Sequence, residues 1–162
     1  LLDTMNWLKG RGLYSYHLQP NRFIEADIQG EISYEHIGDD MYKATITAYA
    51  HDATWFEKGT YIKNAGTSTI VNEGTFNSKP LMKLVRGSVD KADITINGVR
   101  LVYDFKGEDH GMIDCETQEA YLGATKRNHR LISGHSFPIL KPGNNTIKTN
   151  VKIEFERKDR WL

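Results

Sequence analysis

Hydrophobic and polar residues alternate most regularly from Phe23 onward. Ile24, Ala26, Ile28, Gly30, Ile32 and Tyr34 fall on one face, and Glu25, Asp27, Gln29, Glu31, Ser33 and Glu35 on the other. A period of two with one polar face predicts a half-buried antiparallel strand. Gly38-Asp39-Asp40 turns the chain, and Tyr42, Ala44, Ile46, Ala48 and Ala50 alternate with Lys43, Thr45, Thr47 and Tyr49 on the way back. The pattern therefore predicts a long hairpin, with Gly30 marking a bulge or bend in its first arm. Upstream, DTMNWLKGRG reads as one short helix, capped by Asp3 or Thr4 and ended by Gly10 and Gly12. LYSYHL reads as a strand and Gln19-Pro20-Asn21 as a turn.

After Trp55-Phe56 the composition shifts to glycine, threonine and asparagine, which predicts a domain boundary near residues 57 to 65. Beyond it the strands are short. The sharpest local signal is ADITINGVRLVY, residues 92 to 103. Asn97-Gly98 is the preferred pair for a two-residue type I′ turn, since both positions need positive φ. That turn sets Ile96 opposite Val99, Ile94 opposite Leu101 and Ala92 opposite Tyr103, all on one face. Asp93, Thr95, Arg100 and Val102 share the other. Further strands are expected at 68–72, 80–86, 111–115, 119–123 and 150–156. Short strands separated by turn signals predict a β-sandwich.

Composition narrows the function. The 162 residues carry 21 basic and 21 acidic side chains, a net charge of zero, which argues against general nucleic-acid binding. No apolar run approaches the roughly 18 residues of a membrane helix. The opening LLDTMNWLKGRG lacks a signal peptide's basic and apolar regions, and a start at Leu1 suggests a piece of a longer protein. The single cysteine, Cys115, reads as a packing residue in a short strand. Six histidines are scattered without metal-ligand spacing, and the nearest acidic cluster, Glu108, Asp109, His110 and Asp114, has the composition of a strand turn. P-loop, dinucleotide and nucleophile-elbow frames are absent from the sequence. No enzyme activity, cofactor or metal is expected. A carbohydrate-binding module is the alternative, with Asn128, His129 and Arg130 as its candidate glycan contacts.

The stretch FPILKPGNNTIK, followed by a last strand and a terminal RWL, resembles the C-terminal signature of siphophage distal tail proteins, FP-x-L-x-PG-x-N-x-I. Phe137, Pro138, Leu140, Pro142, Gly143, Asn145 and Ile147 match it. Asn72, Gly74, Ser78 and Pro80 are similar to the family's N-x-G-x-x-x-S-x-P segment. Leu8, Gly12, Tyr14 (in place of a leucine), Pro20, Arg22 and Ala26 resemble an N-terminal one. The end departs from the family pattern: it reads Lys-Asp-Arg-Trp-Leu rather than Trp-Arg, and NVKIEFER lacks a glycine often found there.

The resemblance implies a mainly β, structural protein of the phage tail tip. Residues 1–57 would be the end of a ring-forming N-terminal domain with a short helix, and 58–162 a galectin-like antiparallel β-sandwich. It implies a homo-hexameric ring that meets the tail tube protein, a tail-associated fibre or lysin protein, and receptor-binding proteins. Such a protein is made in the bacterial host cytoplasm and resides in the virion. On this reading the loop before the last strand is a plug. Phe137 and Leu140 anchor it in the core, Pro138 and Pro142 restrict it, Gly143 takes positive φ, and Asn144 or Asn145 bonds backbone across the turn. Phe137→Ala is then expected to cost about 3–5 kcal/mol. Trp161, beside Arg160 at the terminus, must pack on something to be ordered.

Overall fold

A computed structural model describes residues 10–16, 18–29, 33–38, 41–50, 52, 54–133 and 136–161. Among them there is no α-helix. The chain divides into two compact units, Leu1–Trp55 with Leu162, and Phe56–Trp161.

In the first unit, β1 (Gly10–Tyr16) pairs antiparallel with β2 (Gln19–Ile28). The expected helix over 3–12 is corrected at its end: Gly10, Arg11 and Gly12 are extended, opposite Ile28, Asp27 and Ala26. Glycine is a poor helix former, and strand pairing supplies the backbone partners instead. Residues 3–9 of that expectation lie outside the described residues. The expected turn at Gln19-Pro20-Asn21 is also corrected, since β2 already begins at Gln19. Pro20 sits next to the register shift between Ser15 and Tyr16, where a missing N–H is tolerated.

The long hairpin is present in sections. β3 (Ser33–Gly38) pairs with β4 (Met41–Thr45), while β5 (Ala48–Ala50) pairs with β2 through Ala26–Ala50 and Ile28–Ala48. Gly30, Ile32, Asp39 and Asp40 lie outside the described residues. Ala26 and Ile28 are buried as the alternation predicts. The returning arm differs, because Ile46 and Tyr49 are both exposed.

The second unit is a β-sandwich. One sheet runs β6 (Trp55–Lys63), β16 (Lys152–Trp161), β8 (Leu81–Val85), β11 (His110–Asp114), β12 (Glu119–Leu122) and β13 (Thr125–Lys126). The five-stranded sheet runs β14 (Leu131–Ser133), β10 (Val99–Asp104), β9 (Lys91–Ile96), β15 (Gly143–Thr149) and β7 (Gly66–Asn72). Both sheets contribute to one core: Ile70, Ile94, Ile96, Leu101 and Ile147 from one, Met82, Leu84, Ile113, Ile153 and Phe155 from the other. The β9–β10 hairpin has the expected register, with Ile96 opposite Val99, Ile94 opposite Leu101 and Ala92 opposite Tyr103. Its turn residues have φ +50° at Asn97 and +85° at Gly98. The Tyr103 ring needs Gly111 beneath it, where a Cβ would lie 2.5 Å from the ring.

Cys115 is buried in this core. Burial, and then the neighbouring Asp114 carboxylate, push its thiol up from 9.0 to about 12. A thiol-reactive disulfide reagent at pH 8 is therefore expected to label Cys115 only as fast as the unit opens, and denaturant should release the reaction. Burial, and then Glu108, likewise push the Tyr103 phenol up from 10.0 to about 12. Both groups bind their protons more tightly when folded. Their stabilising contribution is complete below pH 9.0 and is lost as pH rises toward 12. A melting temperature that falls through this window checks the sign.

Candidate functional site: a stapled junction in the second unit

The sequence signature gathers where three distant segments meet. The first is the turn into β15. Gly143 has φ +85°, a left-handed conformation that glycine adopts without steric cost. Two residues on, Asn145 is completely buried. Its Oδ1 accepts the N–H of Lys141 at 2.8 Å and the side-chain amide of Asn97 at 2.7 Å. Its Nδ2 donates to the carbonyls of Lys141 and Gly143, both at 2.8 Å. One carboxamide thus closes the turn in both directions, which requires a donor and an acceptor on the same side chain.

Asn97 ties the β9–β10 hairpin tip to the same place. Its Oδ1 accepts the Thr146 N–H at 3.1 Å, and its own N–H donates to the Thr146 carbonyl at 3.0 Å. Asn97 and Asn145 therefore bond each other across 48 residues of sequence.

The second segment is the loop after β7. Asn72, also buried, donates through Nδ2 to the carbonyls of Phe76 at 2.8 Å and Leu140 at 3.0 Å. Its Oδ1 accepts the Gly74 N–H at 3.0 Å. Ser78 and Leu140 exchange two backbone bonds of 2.8 Å. The third segment is the end of β16. The Arg160 carbonyl accepts the N–H groups of Thr75 at 2.7 Å and Phe76 at 3.2 Å. The Asp159 carboxylate accepts the Glu73 N–H at 3.1 Å. Gly74 lies so close to this strand that an added Cβ would come within 2.5 Å of the Arg160 backbone.

The plug is shorter than expected. Residues 143–149 form β15, paired on one side with β7 and on the other with β9. Only the residues before Gly143 are loop. Leu140 and Pro138 are buried, Phe137 is half-buried against the core, and Pro142 is exposed. Trp161 is half-buried at the end of β16. Leu140 is thus the deeper anchor. A half-buried Phe137 lowers the expected cost of Phe137→Ala to about 2 kcal/mol, to be read from urea denaturation.

Asn128, His129 and Arg130 form a 3-10 turn. Asn128 Oδ1 accepts the Ala120 N–H at 2.7 Å, fixing the turn to β12. Arg130 and Arg127 approach Glu108 Oε1 at 3.5 and 3.0 Å, and the Tyr103 hydroxyl donates to Glu108 Oε2 at 3.3 Å. Burial alone would raise the Glu108 pKa, but the bond and charge of Arg127, then the charge of Arg130, hold it below the usual carboxylate range. Two of the three candidate glycan contacts thus have partners within the chain, and His129 is exposed. Asp114 Oδ1 accepts the N–H groups of Glu116 and Thr117. Among the described residues, no group of three or more His, Cys, Asp or Glu is placed to hold a metal ion.

The asparagine staples join segments far apart in sequence, where no local pattern shows them. The family signature named Asn72 and Asn145, while the Asn97–Asn145 contact and the Glu108 cluster went unread.

Comparison with curated proteins finds no match. Among solved structures, the chain is similar to the crystal structure of the SPP1 Dit (gp 19.1) protein, described as a paradigm of hub adsorption apparatus in Gram-positive infecting phages. The TM-score is 0.77 at 15% identity, over 99% of this chain and 70% of that one, so the likeness is one of fold. A family model described as the siphovirus-type tail component, C-terminal domain, matches residues 73–161, more than half of the chain. That span runs from the loop after Asn72 to Trp161 and holds most of the junction, and the chain belongs to the siphovirus-type tail component family.

Proposed function

We propose that this chain is a hub of a siphophage tail tip, acting by assembly rather than by catalysis. The likeness to SPP1 Dit along nearly the whole chain carries this reading. In it, residues 1–57 are the end of the ring-forming domain and 58–162 the outer, galectin-like domain. The chain joins copies of itself in a hexameric ring. That ring connects the tail tube protein to the fibre or lysin protein and to receptor-binding proteins, in the virion.

Exposed apolar side chains in the first unit support self-association. Leu13, Leu18, Ile37 and Tyr49 are 47%, 69%, 54% and 58% exposed. Apolar surface left to water in this way marks interaction sites when it is contiguous. The stapled junction fits the same role, since a load-transmitting domain benefits from tying its last strand to its first loop.

Light scattering on this chain, and on one extended at its N-terminus, tests the reading. A particle of six chains is expected for the extended form. A strict monomer for both at high concentration would overturn the ring.

A further inference from the structure

The outer face of the five-stranded sheet carries a cleft of about 470 Å³, lined by residues including Thr67, Asp93, Thr95, Arg100 and Lys148. Its order is in the register. Thr67 of β7 pairs with Lys148 of β15, Lys148 with Thr95 of β9, and Thr95 with Arg100 of β10. The four residues form one rung across four strands, with two cations and two hydroxyls. Arg100 holds Asp93 by two bonds, Nε to Oδ1 at 2.9 Å and Nη2 to Oδ2 at 2.6 Å. That carboxylate is therefore already neutralised, and the Lys148 ammonium leaves the cleft with a positive charge. No aromatic ring is among its lining residues, so the cleft offers no stacking surface to a sugar.

The rung ends at an edge. β7 is the last strand of its sheet and pairs with β15 over all seven residues without a register shift. Natural edges are usually blunted by lysine, proline, a bulge or shortness. GTSTIVN has no lysine or proline, its pairing has no bulge, and Thr67, Thr69 and Val71 are exposed. The opposite edge strand, β14, is three residues long.

We propose that the β7 edge and the cationic rung beside it form a docking site for an extended acidic segment of a partner polypeptide. The segment adds a strand to the sheet. Main-chain bonds to β7 supply the pairing, and alternate side chains supply specificity. A strand beside β7 lies two strand spacings, about 10 Å, from Lys148. A glutamate at the rung position and the lysine stem together span that gap. The proposal takes from the tail-hub reading only the expectation that a protein partner exists.

The test is an amide-resolved titration of the chain with an eight-residue peptide alternating threonine and glutamate. Threonine–glutamine and threonine–lysine peptides and a neutral glucose hexasaccharide are run in parallel. The acidic peptide is expected to slow amide exchange in residues 67–71 and to bind best. Lys148→Glu, with an unchanged melting temperature, should weaken it about fivefold and favour the threonine–lysine peptide. Equal binding of the acidic and glutamine peptides, protection elsewhere, absence of binding, or a response to the saccharide alone would each overturn the proposal. None of these results alters the mass that tests the ring.

Discussion

Gly74→Ala is expected to destabilise the second unit by about 3 kcal/mol, the upper end for overpacking a filled site. The reason is room rather than backbone conformation. A Cβ on Gly74 would lie 2.5 Å from both the N and the O of Arg160, atoms of a paired strand with no rotamer to turn aside. The loop or the strand end must retreat. Either movement stretches the bonds from Thr75 and Phe76 to the Arg160 carbonyl, and the bond from Glu73 to Asp159. Gly107 provides the contrast. Its φ is +91° and nothing lies within 4 Å of the added Cβ, so Gly107→Ala meets only the left-handed backbone penalty, about 1–2 kcal/mol. Thermal unfolding should show a fall of roughly 10 °C for Gly74→Ala and about one to two thirds of that for Gly107→Ala. Cys115 labelling should accelerate in the first variant more than in the second. Equal losses in the two would mean that the Gly74 approach to Arg160 is not what the glycine provides.

The difference between what was legible in the sequence and what was not follows from how local each signal is. The β9–β10 hairpin was readable to the residue because two independent patterns, the Asn97-Gly98 turn and the period-two alternation, specify one register. β15 carries the same alternation, with Asn145, Ile147 and Thr149 buried and Asn144, Thr146 and Lys148 exposed. Pro142, Gly143, Asn144 and Asn145 make it read as loop, and two of its three inward residues are polar. Their burial is compensated by bonds to Lys141, Gly143 and Val151, at the ends of the strand or just beyond them. The shift to glycine, threonine and asparagine after Phe56 hides a strand, since β6, Trp55–Lys63, runs through it beside β16. In the first unit, glycines suggested the end of a helix at a place where pairing with β2 makes a strand. The Glu108 cluster stayed hidden because Arg127 and Arg130 reach it from 19 and 22 residues away.

Asn145→Ala is expected to be nearly as damaging, costing about 3 kcal/mol through polar groups left without partners. Truncation strands the Lys141 N–H, the carbonyls of Lys141 and Gly143, and the Asn97 amide, each now bonded to the Asn145 side chain. Groups near the exposed Lys141 and Gly143 recover water, which keeps the cost below the sum of four lost bonds. Asn145→Asp separates the components. A carboxylate still accepts from Lys141 and Asn97, but it cannot donate to the two carbonyls and adds a buried charge. Its penalty should therefore be at least that of alanine at pH 7 and should shrink as acid protonates the carboxyl. That restores one donor, and the raised carboxyl pKa expected from burial places the recovery above the ordinary aspartate range. Asn97→Ala removes the Asn97–Asn145 bond from the other side together with the bond from the Thr146 N–H, and sets an alanine at φ +50°, so it should cost about 2 kcal/mol. The double variant Asn97→Ala/Asn145→Ala should lose less than the sum of the two, because the bond between them is counted in both. Full additivity in urea denaturation would mean that the two asparagines act separately. The hairpin tip and the β15 turn would then be joined by the two Asn97–Thr146 bonds rather than by the contact between the asparagines.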